Sequence, residues 1–354
     1  MLTGTLSFDI HSISTAIPSR STDLNSFSEI FGTTDIKKII NTTGISSIRV
    51  VDENTTASDL CFAAAEHLIN KTKISRSEID ALIFVSQTPD YKLPQTSHIL
   101  QQRLGLGTNT FCLDIPLGCS GYIHGLFQAG LLLNSGCCAN VLVLAGDTTS
   151  KMINKLDRSL RMVFGDAGSA TLVKASKFKS VFSINSDGAG ANQLIIPAGG
   201  ARCPITKETS ITQIAEDQNI RSEEDLFMDG MGIFNFAMSK VPHMFEELIA
   251  KANWNKEDIG TVAFHQANKF MVEYLRKRMK LTSAQAPIEV DGYGNTGPAT
   301  IPLLLSNQGN ILKEMEKLDK VVLLGFGVGL SWAGVTCNLN NTIFLKPIEH
   351  DSND

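Results

Sequence analysis

Three side chains of this sequence have the chemistry of an acyl-thioester site: a thiol, an imidazole and a carboxamide. Each comes shortly after an apolar run: Cys119 after 111–115, His265 after 261–264 and Asn295 after 288–290. A thiol can carry an acyl group as a thioester, and uncharged imidazole and amide groups can donate hydrogen bonds to a developing oxyanion. If the fold brings them together, these groups can form and use an acyl-enzyme.

Segments about half the chain apart look like copies of one another. Gly118-Cys119-Ser120-Gly121 matches Gly294-Asn295-Thr296-Gly297 at an offset of 176 residues, and two apolar runs, 79–84 and 141–144, recur at 259–264 and 321–324 at an offset of 180. We therefore expect a duplicated α/β unit. Its first half, 1–180, carries Cys119, and its second half, 181–354, carries His265 and Asn295.

Cys119 is expected where a buried strand ends and a helix begins. The apolar run 111–115 predicts the strand and 120–134 predicts the helix, while Gly118 and Gly121 permit a tight turn. The N–H groups of the first helical turn would point at the thiol and lower its pKa from about 8.5. The alternative, a small buried hydrophobic residue, is our interpretation of the other cysteines: Cys61, Cys112, Cys137, Cys138, Cys203 and Cys337.

His265 and Asn295 also have structural alternatives. The remaining histidines fall within predicted helices or near the termini, whereas His265 lies at the end of a strand, where open α/β folds bind ligands. Taken alone, Asn295 is typical of a turn residue. Its position equivalent to Cys119 in the duplicated segment favours a role in the active site. Both side chains are suited to stabilising an enolate oxygen.

A glycine-rich loop follows the run 321–324, with the sequence Gly325-Phe326-Gly327-Val328-Gly329. Its spacing is not that of a dinucleotide-binding fingerprint, and the next segment, 331–337, reads as a strand rather than a helix. We interpret the loop as a source of backbone N–H groups for an oxyanion hole, together with the N–H of Cys119. No metal-ligand spacing is recognised in the sequence.

Apolar runs alternate with amphipathic segments, which predicts a mostly parallel sheet covered by helices. The predicted strands are 81–86, 111–115, 141–145, 168–174, 261–265, 287–290, 321–325 and 331–337. The predicted helices are 58–70, 95–104, 120–134, 234–252 and 268–279. A Gly-rich and polar stretch interrupts this pattern, so we place the boundary between the halves near 180 and interpret 198–225 as an inserted loop.

Composition excludes several classes of function. With 354 residues, 43% apolar and 19% charged, the chain has an ordinary globular composition. A net charge of -5 favours neither nucleic acid nor an anionic membrane as a partner. Seven cysteines, an odd number, indicate reduced thiols rather than a disulfide framework. With no basic, apolar leader and no apolar run of about 18 residues, we expect a cytoplasmic protein.

The assembled motifs make the chain resemble the thiolase-fold condensing enzymes, most closely the β-ketoacyl-acyl-carrier-protein synthase III family. They span nearly the whole sequence: Asn41-Thr42-Thr43-Gly44-Ile45, Gly118-Cys119-Ser120-Gly121, Asp157-Arg158, Phe164-Gly165-Asp166-Ala167-Gly168, Met228-Asp229-Gly230, His265-Gln266-Ala267-Asn268, Gly294-Asn295-Thr296 and the glycine-rich loop. Asn295 separates the chain from relatives that use two histidines. The tetrad at 265–268 separates it from plant-type polyketide synthases.

The resemblance implies duplicated α/β halves in a layered α-β-α-β-α sandwich and a decarboxylative condensation. Cys119 would take an acyl group from an acyl-CoA or acyl-carrier thioester, and a malonyl thioester would then lose CO2 and attack it. His265 and Asn295 would stabilise the enolate. Contacts to the coenzyme A or phosphopantetheine arm would come from Thr43, Arg158, Met228, Gly230, Phe234, Ala267, Asn268, Gly327 and Val328. No permanently bound cofactor is implied.

The family resemblance also implies partners. Members are homodimers, so we expect a homodimer here. The predicted helix after Asn268 carries Arg276, Lys277, Arg278 and Lys280, a basic group that would receive an acidic acyl carrier protein, although a merely solvated helix face has the same sequence.

Several positions depart from the family pattern. The usual Trp and Arg that hold the adenine of coenzyme A are Lys38 and Thr42, and a usual basic residue after the tetrad is Phe270. Val328 replaces a usual glycine. These departures suggest a specialised enzyme of fatty-acid or secondary-metabolite synthesis rather than a general acetyl-CoA initiator. Two alternatives stay open: an acyltransferase that passes its acyl group to an alcohol, amine or water, and a silent protein that only binds acyl carriers.

Overall fold

The computed structural model of the chain describes residues 2–215 and 217–351, in which strands and helices alternate. The strands are β1 Leu2–Pro18, β2 Ser21–Asp23, β3 Ser47–Arg49, β4 Ala81–Val85, β5 Phe111–Ile115, β6 Asn140–Asp147, β7 Ala167–Ser186, β8 Leu194–Ile195, β9 Gln213–Ile214, β10 Ile220–Arg221, β11 Phe227–Met228, β12 Thr261–Phe264, β13 Val321–Gly327, β14 Ser331–Cys337, β15 Ile343–Phe344 and β16 Ile348–His350. The helices are α1 Ser28–Phe31, α2 Thr33–Thr43, α3 Ala57–Thr72, α4 Thr96–Arg103, α5 Gly121–Asn134, α6 Arg158–Arg161, α7 Gly230–Lys251, α8 Lys269–Arg278 and α9 Thr300–Glu314.

The main sheet has two similar halves that share its two longest strands. One half runs β5-β4-β6-β7-β1 and the other runs β12-β13-β14-β7-β1. β6 pairs with the start of β7, and β14 pairs with its end. In the first half the parallel strands β4 and β6 are followed in the sheet by the antiparallel β7. In the second half the parallel strands β12 and β13 are followed by the antiparallel β14. The order and directions of β4-β6-β7-β1 therefore repeat in β12-β13-β14-β7.

Alternating residues of each strand face different helix layers, because successive side chains of a strand point to opposite faces. Ile83 of β4 and Leu323 of β13 pack in one buried cluster with residues of α5 and α9. This cluster fills the space between the two halves of the sheet. The helices α5 and α9 thus form a central layer.

The opposite faces of the strands carry the outer layers. Leu82 of β4 packs with α3 and α4, and Val322 of β13 packs with α7 and α8. The order of layers is therefore helix, sheet, helix, sheet, helix. In residues 2–215 and 217–351, no helix is long and apolar enough to cross a membrane.

Most of the predicted elements form with small differences at their ends, except that β7 continues to Ser186, well beyond its predicted end at 174. Helix α7 begins at Gly230, four residues before the predicted start, because the side chain of Asp229 accepts a hydrogen bond from the N–H of Gly232 at 2.9 Å and caps the helix. The predicted strand at 287–290 is wrong, since that segment has no strand geometry. Its neighbour Gln285 still contacts β12, where its C=O accepts from the N–H of Val262 at 2.6 Å.

Of the longer elements, periodicity missed β1, α2 and α9; it also missed several elements of four residues or fewer. β1 is polar at alternate positions and lies beside β7, and nine of the fifteen residues of α9 are buried. The predicted loop at 198–225 contains the short antiparallel pair β9 and β10, within its described residues. The boundary at 180 stays a prediction, and β7 runs through that residue.

Candidate active site

Cys119 lies between β5 and α5, as the sequence predicts, and is 9% exposed. The glycine-rich loop comes directly against it. A Cβ added at Gly327 would lie 2.7 Å from the sulfur, so the absence of a side chain lets this loop approach the thiol. The thiol and the loop are therefore in direct contact.

The thiol of Cys119 is held in its protonated form. Burial raises the pKa of Cys119 to about 11, and the nearby carboxylate of Asp147 raises the pKa further, while the backbone N–H groups of Val328 and Cys119 act against this rise. The expectation of a lowered pKa is therefore wrong, because desolvation outweighs the helix terminus. The same two N–H groups face the sulfur, where an oxyanion hole would need them.

A chain of hydroxyl groups fixes the loop to the helix that follows Cys119. The hydroxyl of Ser331 donates to the C=O of Val328 at 2.7 Å, and the hydroxyls of Ser120 and Ser331 are 2.6 Å apart. Since the proton of Ser331 goes to Val328, Ser120 donates to Ser331. This chain fixes the peptide between Val328 and Gly329, which adjoins the peptide whose N–H faces the sulfur.

His265 follows β12 and is 1% exposed. Burial lowers the pKa of His265 to about 3, so the ring is neutral at physiological pH. Its Nδ1 lies 2.7 Å from the hydroxyl of Thr300, whose oxygen is also 3.1 Å from the C=O of Gly297. The other ring nitrogen, Nε2, has no hydrogen-bond partner among the described residues.

Asn295 is held by its backbone and by its side chain. Its N–H donates to the C=O of Val163 at 2.8 Å, and its C=O accepts from the N–H of Gly165 at 3.0 Å. The side-chain oxygen Oδ1 accepts from the N–H of Gly297 at 3.1 Å. The amide NH2 is consequently the group left to donate a hydrogen bond to a substrate oxygen.

One cavity of about 90 Å³, here called the reaction cavity, brings the three predicted catalytic side chains together. Cys119, His265 and Asn295 all line it. Five further predicted site residues line the same cavity: Met228, Gly230, Ala267, Asn268 and Gly327. The carboxamide of Asn268 also caps α8, because its Oδ1 accepts from the N–H of Met271 at 2.8 Å.

A second cavity of about 230 Å³, here called the side cavity, shares Cys119, Phe164 and Leu194 with the reaction cavity. Val328 lines this cavity, with Met152, Leu226 and other apolar side chains. Its polar wall consists of Gln87, Asp147 and Thr149. The side cavity has the apolar character expected of a pocket for an acyl chain.

The remaining predicted contacts to the thioester arm lie outside these two cavities. Arg158 forms an ion pair of 2.6 Å with Asp35. Phe234 packs against Phe270, with ring centroids 5.5 Å apart. Thr43 is buried at the end of α2, where its hydroxyl donates to the C=O of Ile39 at 2.8 Å.

The predicted basic residues occupy the last turn of α8 and the residue position just beyond it. Lys277, Arg278 and Lys280 are exposed, while Arg276 is partly buried and lies 3.9 Å from Glu273. The helix α2 contacts α8 and adds the exposed Lys38. The glycine that ends α2, Gly44, packs against Lys269 at the start of α8, the opposite end of that helix from the basic residues of its last turn.

Three residues that the sequence analysis did not select take part in this geometry: Asp147, Thr300 and Ser331. Asp147 is the last residue of β6, and His265 directly follows β12. Because ligands bind at strand ends in open α/β folds, the position of Asp147 could have marked it as a site residue. Thr300 and Ser331 had no such signal. Their roles depend on contacts with His265 and Val328 across the fold.

Known proteins are similar to this chain over nearly its whole length. The family model described as 3-oxoacyl-[acyl-carrier-protein] synthase III matches residues 113–192, and that of its C-terminal part matches residues 249–339. The β-ketoacyl-[acyl-carrier-protein] synthase III of Clostridioides difficile is 35% identical over 321 residues, covering 89% of this chain and 93% of its own.

Solved structures show the same likeness. A 3-oxoacyl-(acyl-carrier protein) synthase of Burkholderia xenovorans is 36% identical, with a TM-score of 0.90 and 99% of both chains covered. The β-ketoacyl-[acyl carrier protein] synthase III of Thermus thermophilus is 31% identical, with a TM-score of 0.79, covering 93% of this chain and 98% of its own. The predicted family and the layered thiolase-like fold are therefore confirmed.

Proposed function

The chain belongs to the 3-oxoacyl-[acyl-carrier-protein] synthase III family of acyl-transferring condensing enzymes, and we propose that Cys119, His265 and Asn295 carry out its reaction. One observation supports this most strongly. The three side chains line one small cavity, where the amide NH2 of Asn295 is left as a donor. The substrates proposed are an acyl thioester and a malonyl thioester.

In the first half-reaction, the sulfur of Cys119 attacks the carbonyl carbon of the acyl thioester. The new C–S bond leaves an oxyanion, which the N–H groups of Cys119 and Val328 stabilise. The C–S bond of the donor then breaks. The released pantetheine thiol takes up the proton that Cys119 lost, with Nε2 of His265 carrying it between them.

In the second half-reaction, the malonyl thioester loses CO2. The electron pair of the broken C–C bond forms an enolate, whose oxygen accepts hydrogen bonds from Asn295 and His265. The enolate carbon attacks the acyl carbonyl on Cys119, a C–C bond forms, and the C–S bond to Cys119 breaks. The thiolate takes up one proton, and the product is a β-ketoacyl thioester.

Nε2 of His265 must accept a proton in the first half-reaction and donate a hydrogen bond in the second. The hydroxyl of Thr300 can hold the ring in either of the two tautomers that these roles require. When the hydroxyl of Thr300 donates to the C=O of Gly297, Nδ1 of His265 must donate, and Nε2 is an acceptor. When the hydroxyl turns to donate to Nδ1, Nε2 carries the proton and is a donor. Rotation of one hydroxyl therefore selects the tautomer that each step needs.

We also propose a specialised primer delivered by acyl carrier protein rather than by coenzyme A. In this chain Arg158 is paired with Asp35 and so is not a free cation for a nucleotide phosphate. At the position of the family's basic residue, Phe270 stacks on Tyr274, with centroids 4.5 Å apart. The exposed basic residues of α8 suit an acidic carrier protein.

A homodimer is the proposed assembly. β5 is an edge strand of the described sheet, and Phe111 at its start is 46% exposed. The segment leading to α4 beside this edge exposes two further apolar side chains, Tyr91 at 63% and Leu93 at 85%. An unpaired edge next to apolar surface is suited to pairing with a second copy. Light scattering coupled to size exclusion tests this assembly, and a cytoplasmic location stays a prediction.

The reaction itself is tested by two measurements on one sample. Intact mass after incubation with acyl pantetheine thioesters reports acylation of Cys119. Release of labelled CO2 from a malonyl thioester, together with the mass of the product, reports condensation. Acylation without CO2 release would favour transfer to an alcohol, amine or water, and the absence of both would favour a protein that only binds acyl carriers.

A further inference from the structure

A buried ion pair ties the segment 198–225 to the rest of the fold. Nε of Arg221, in β10, donates to Oδ2 of Asp157 at 3.1 Å, and the two side chains are 10% and 1% exposed. A second nitrogen of the guanidinium donates to Asp217 at 2.7 Å, and the guanidinium lies 5.3 Å from the ring centroid of Phe227. Burial raises the pKa of Asp157, and Arg221 acts against this rise. Loss of the arginine would leave a buried carboxylate without its cation.

Asp157 also holds the start of α6. Its other oxygen, Oδ1, accepts from the N–H of Ser159 at 2.9 Å and from that of Leu160 at 3.1 Å, and so caps the helix. A helix of four residues is not stable by its own hydrogen bonds, so the position of α6 depends on such contacts. The segment 198–225 contacts α6 a second time, because the buried side-chain amide of Asn219 donates to the hydroxyl of Ser159.

The turn after α6 leads directly to Asn295. The C=O of Leu160 accepts from the N–H of Val163 at 3.0 Å, which closes the turn. The C=O of Val163 accepts in its turn from the N–H of Asn295, and the N–H of Gly165 donates to the C=O of Asn295. The ion pair, the helix cap and the turn therefore form a continuous path from Arg221 to the backbone of Asn295.

We propose that Arg221 is a positioning residue for Asn295, because through Asp157 and α6 it holds the backbone from which the amide reaches the reaction cavity. This inference rests on the proposed function, since the amide of Asn295 must act on the malonyl thioester. Cys119 lies outside the path, because β5, α5 and the glycine-rich loop position it. Arg221 is consequently expected to affect decarboxylation and not acylation.

The first test is the variant Arg221→Met, which keeps the apolar stem of the side chain but removes its charge and its N–H groups. With malonyl pantetheine as the probe, CO2 release at saturating concentration is expected to slow about tenfold or more, because a small misplacement of a donor is costly. KM for malonyl pantetheine and the rate of acylation of Cys119 by butyryl pantetheine should each stay within about threefold. A raised KM with an unchanged rate of CO2 release would overturn the inference in favour of a role in substrate binding.

A double variant tests whether Arg221 acts through Asn295. Residues that act as a unit are strongly non-additive, so Arg221→Met combined with Asn295→Ala should release CO2 no more slowly than Asn295→Ala alone. The enzyme concentration is chosen so that the residual rate of Asn295→Ala is measurable. A further loss in the double variant contradicts the proposal.

The same measurements separate this inference from the proposed function. If Asn295→Ala releases CO2 at the original rate, the role proposed for Asn295 fails and the inference fails with it. If Asn295→Ala is slow but Arg221→Met keeps the original rate, the inference alone is overturned.

Arg103→Met is the matched control. Arg103 also pairs with an aspartate of a helix cap, Asp59 at 2.8 Å, and also lies over a phenylalanine ring, that of Phe62 at 4.7 Å, but its partner helix α3 lines neither cavity. CO2 release by this control should stay within about twofold of the original rate. A control as slow as Arg221→Met would show a general effect of losing an ion pair and would overturn the proposal.

A second variant covers the case in which Arg221→Met does not fold. Asp157→Asn is then added to it, which keeps an oxygen to cap α6 and leaves no unpaired charge in the interior. The tether between α6 and Arg221 is still lost, so CO2 release is again expected to slow while acylation does not. Release at the original rate in this folded variant contradicts the proposal.

Discussion

The backbone N–H of Gly297 holds the side-chain oxygen of Asn295 at 3.1 Å. An asparagine amide has one accepting end and one donating end, so occupation of the oxygen determines which end is available to a substrate. The donating end is the one that an enolate requires. An asparagine in a turn makes the same contact, and it leaves the amide NH2 available for the donor role proposed for Asn295.

Replacement of Asn295 should separate the two half-reactions. In Asn295→Ala, acylation of Cys119 is expected to stay within about threefold of the original rate, whereas decarboxylation falls by roughly a hundredfold or more because one oxyanion donor is lost. Intact mass and CO2 release measure the two steps. The reference variant Cys119→Ala should form no acyl-enzyme. Equal loss of both steps in the Asn295 variant would contradict the assigned role.

Thr300 should affect the rate through His265. In Thr300→Val, Nδ1 of His265 loses its partner, and we expect both half-reactions to slow on the order of tenfold. Thr300→Ser keeps the hydroxyl and should stay within about twofold. A serine variant as slow as the valine variant would point to lost packing instead. Single-turnover acylation and CO2 release provide the measurement.

The raised pKa of Cys119 predicts a steep pH dependence. Because the thiol is protonated well above neutral pH, the thiolate fraction should rise about tenfold per pH unit from pH 7 to 9. The measurement is the rate of alkylation by iodoacetamide, read from the peptide that contains Cys119. Exposed Cys137 in the same digest is the internal reference for reagent concentration. A plateau below pH 9 would show that the thiol is not held protonated by burial.

The hydroxyl of Ser331 should support acylation through the Val328 peptide. Ser331→Ala removes the hydrogen bond to the C=O of Val328, which fixes the peptide next to the one whose N–H faces the sulfur, so that N–H is held less firmly. Acylation of Cys119 is expected to slow about tenfold, less than for outright loss of an oxyanion-hole donor. Ser210→Ala, at an exposed position, is the control. An unchanged acylation rate would argue against an oxyanion hole at this loop.

Charge reversal on α8 should affect only substrates attached to the carrier protein. With Lys277→Glu and Arg278→Glu combined, acylation of Cys119 by an acyl carrier thioester should fall about tenfold at low salt, and the effect should shrink as salt is added. Acylation by the matching pantetheine thioester should not change. Lys71→Glu, exposed on α3, is the control. Equal effects on both donors would place the carrier-protein contact elsewhere.

Local patterns predicted much of the fold. Runs such as 141–145 and 261–264 form β6 and β12, because their alternating faces are buried on both sides. The segment 287–290 has apolar residues at alternate positions but begins with a proline and has no strand geometry, so alternation of apolar residues alone was insufficient there. β1 was missed because its pairing with β7 compensates for a weakly apolar pattern.

The sequence by itself determined the family, because its motifs span nearly the whole chain, and the layered architecture followed from that resemblance. It also predicted Cys119, His265 and Asn295 as the site, because duplicated motifs and the ends of apolar runs are properties of local order. The tertiary structure decided the ionisation and orientation of these groups. Burial keeps the thiol of Cys119 protonated, and Thr300 contacts His265 from a different element. Desolvation and hydrogen bonding depend on which distant residues enclose a group, and residue spacing does not specify that environment.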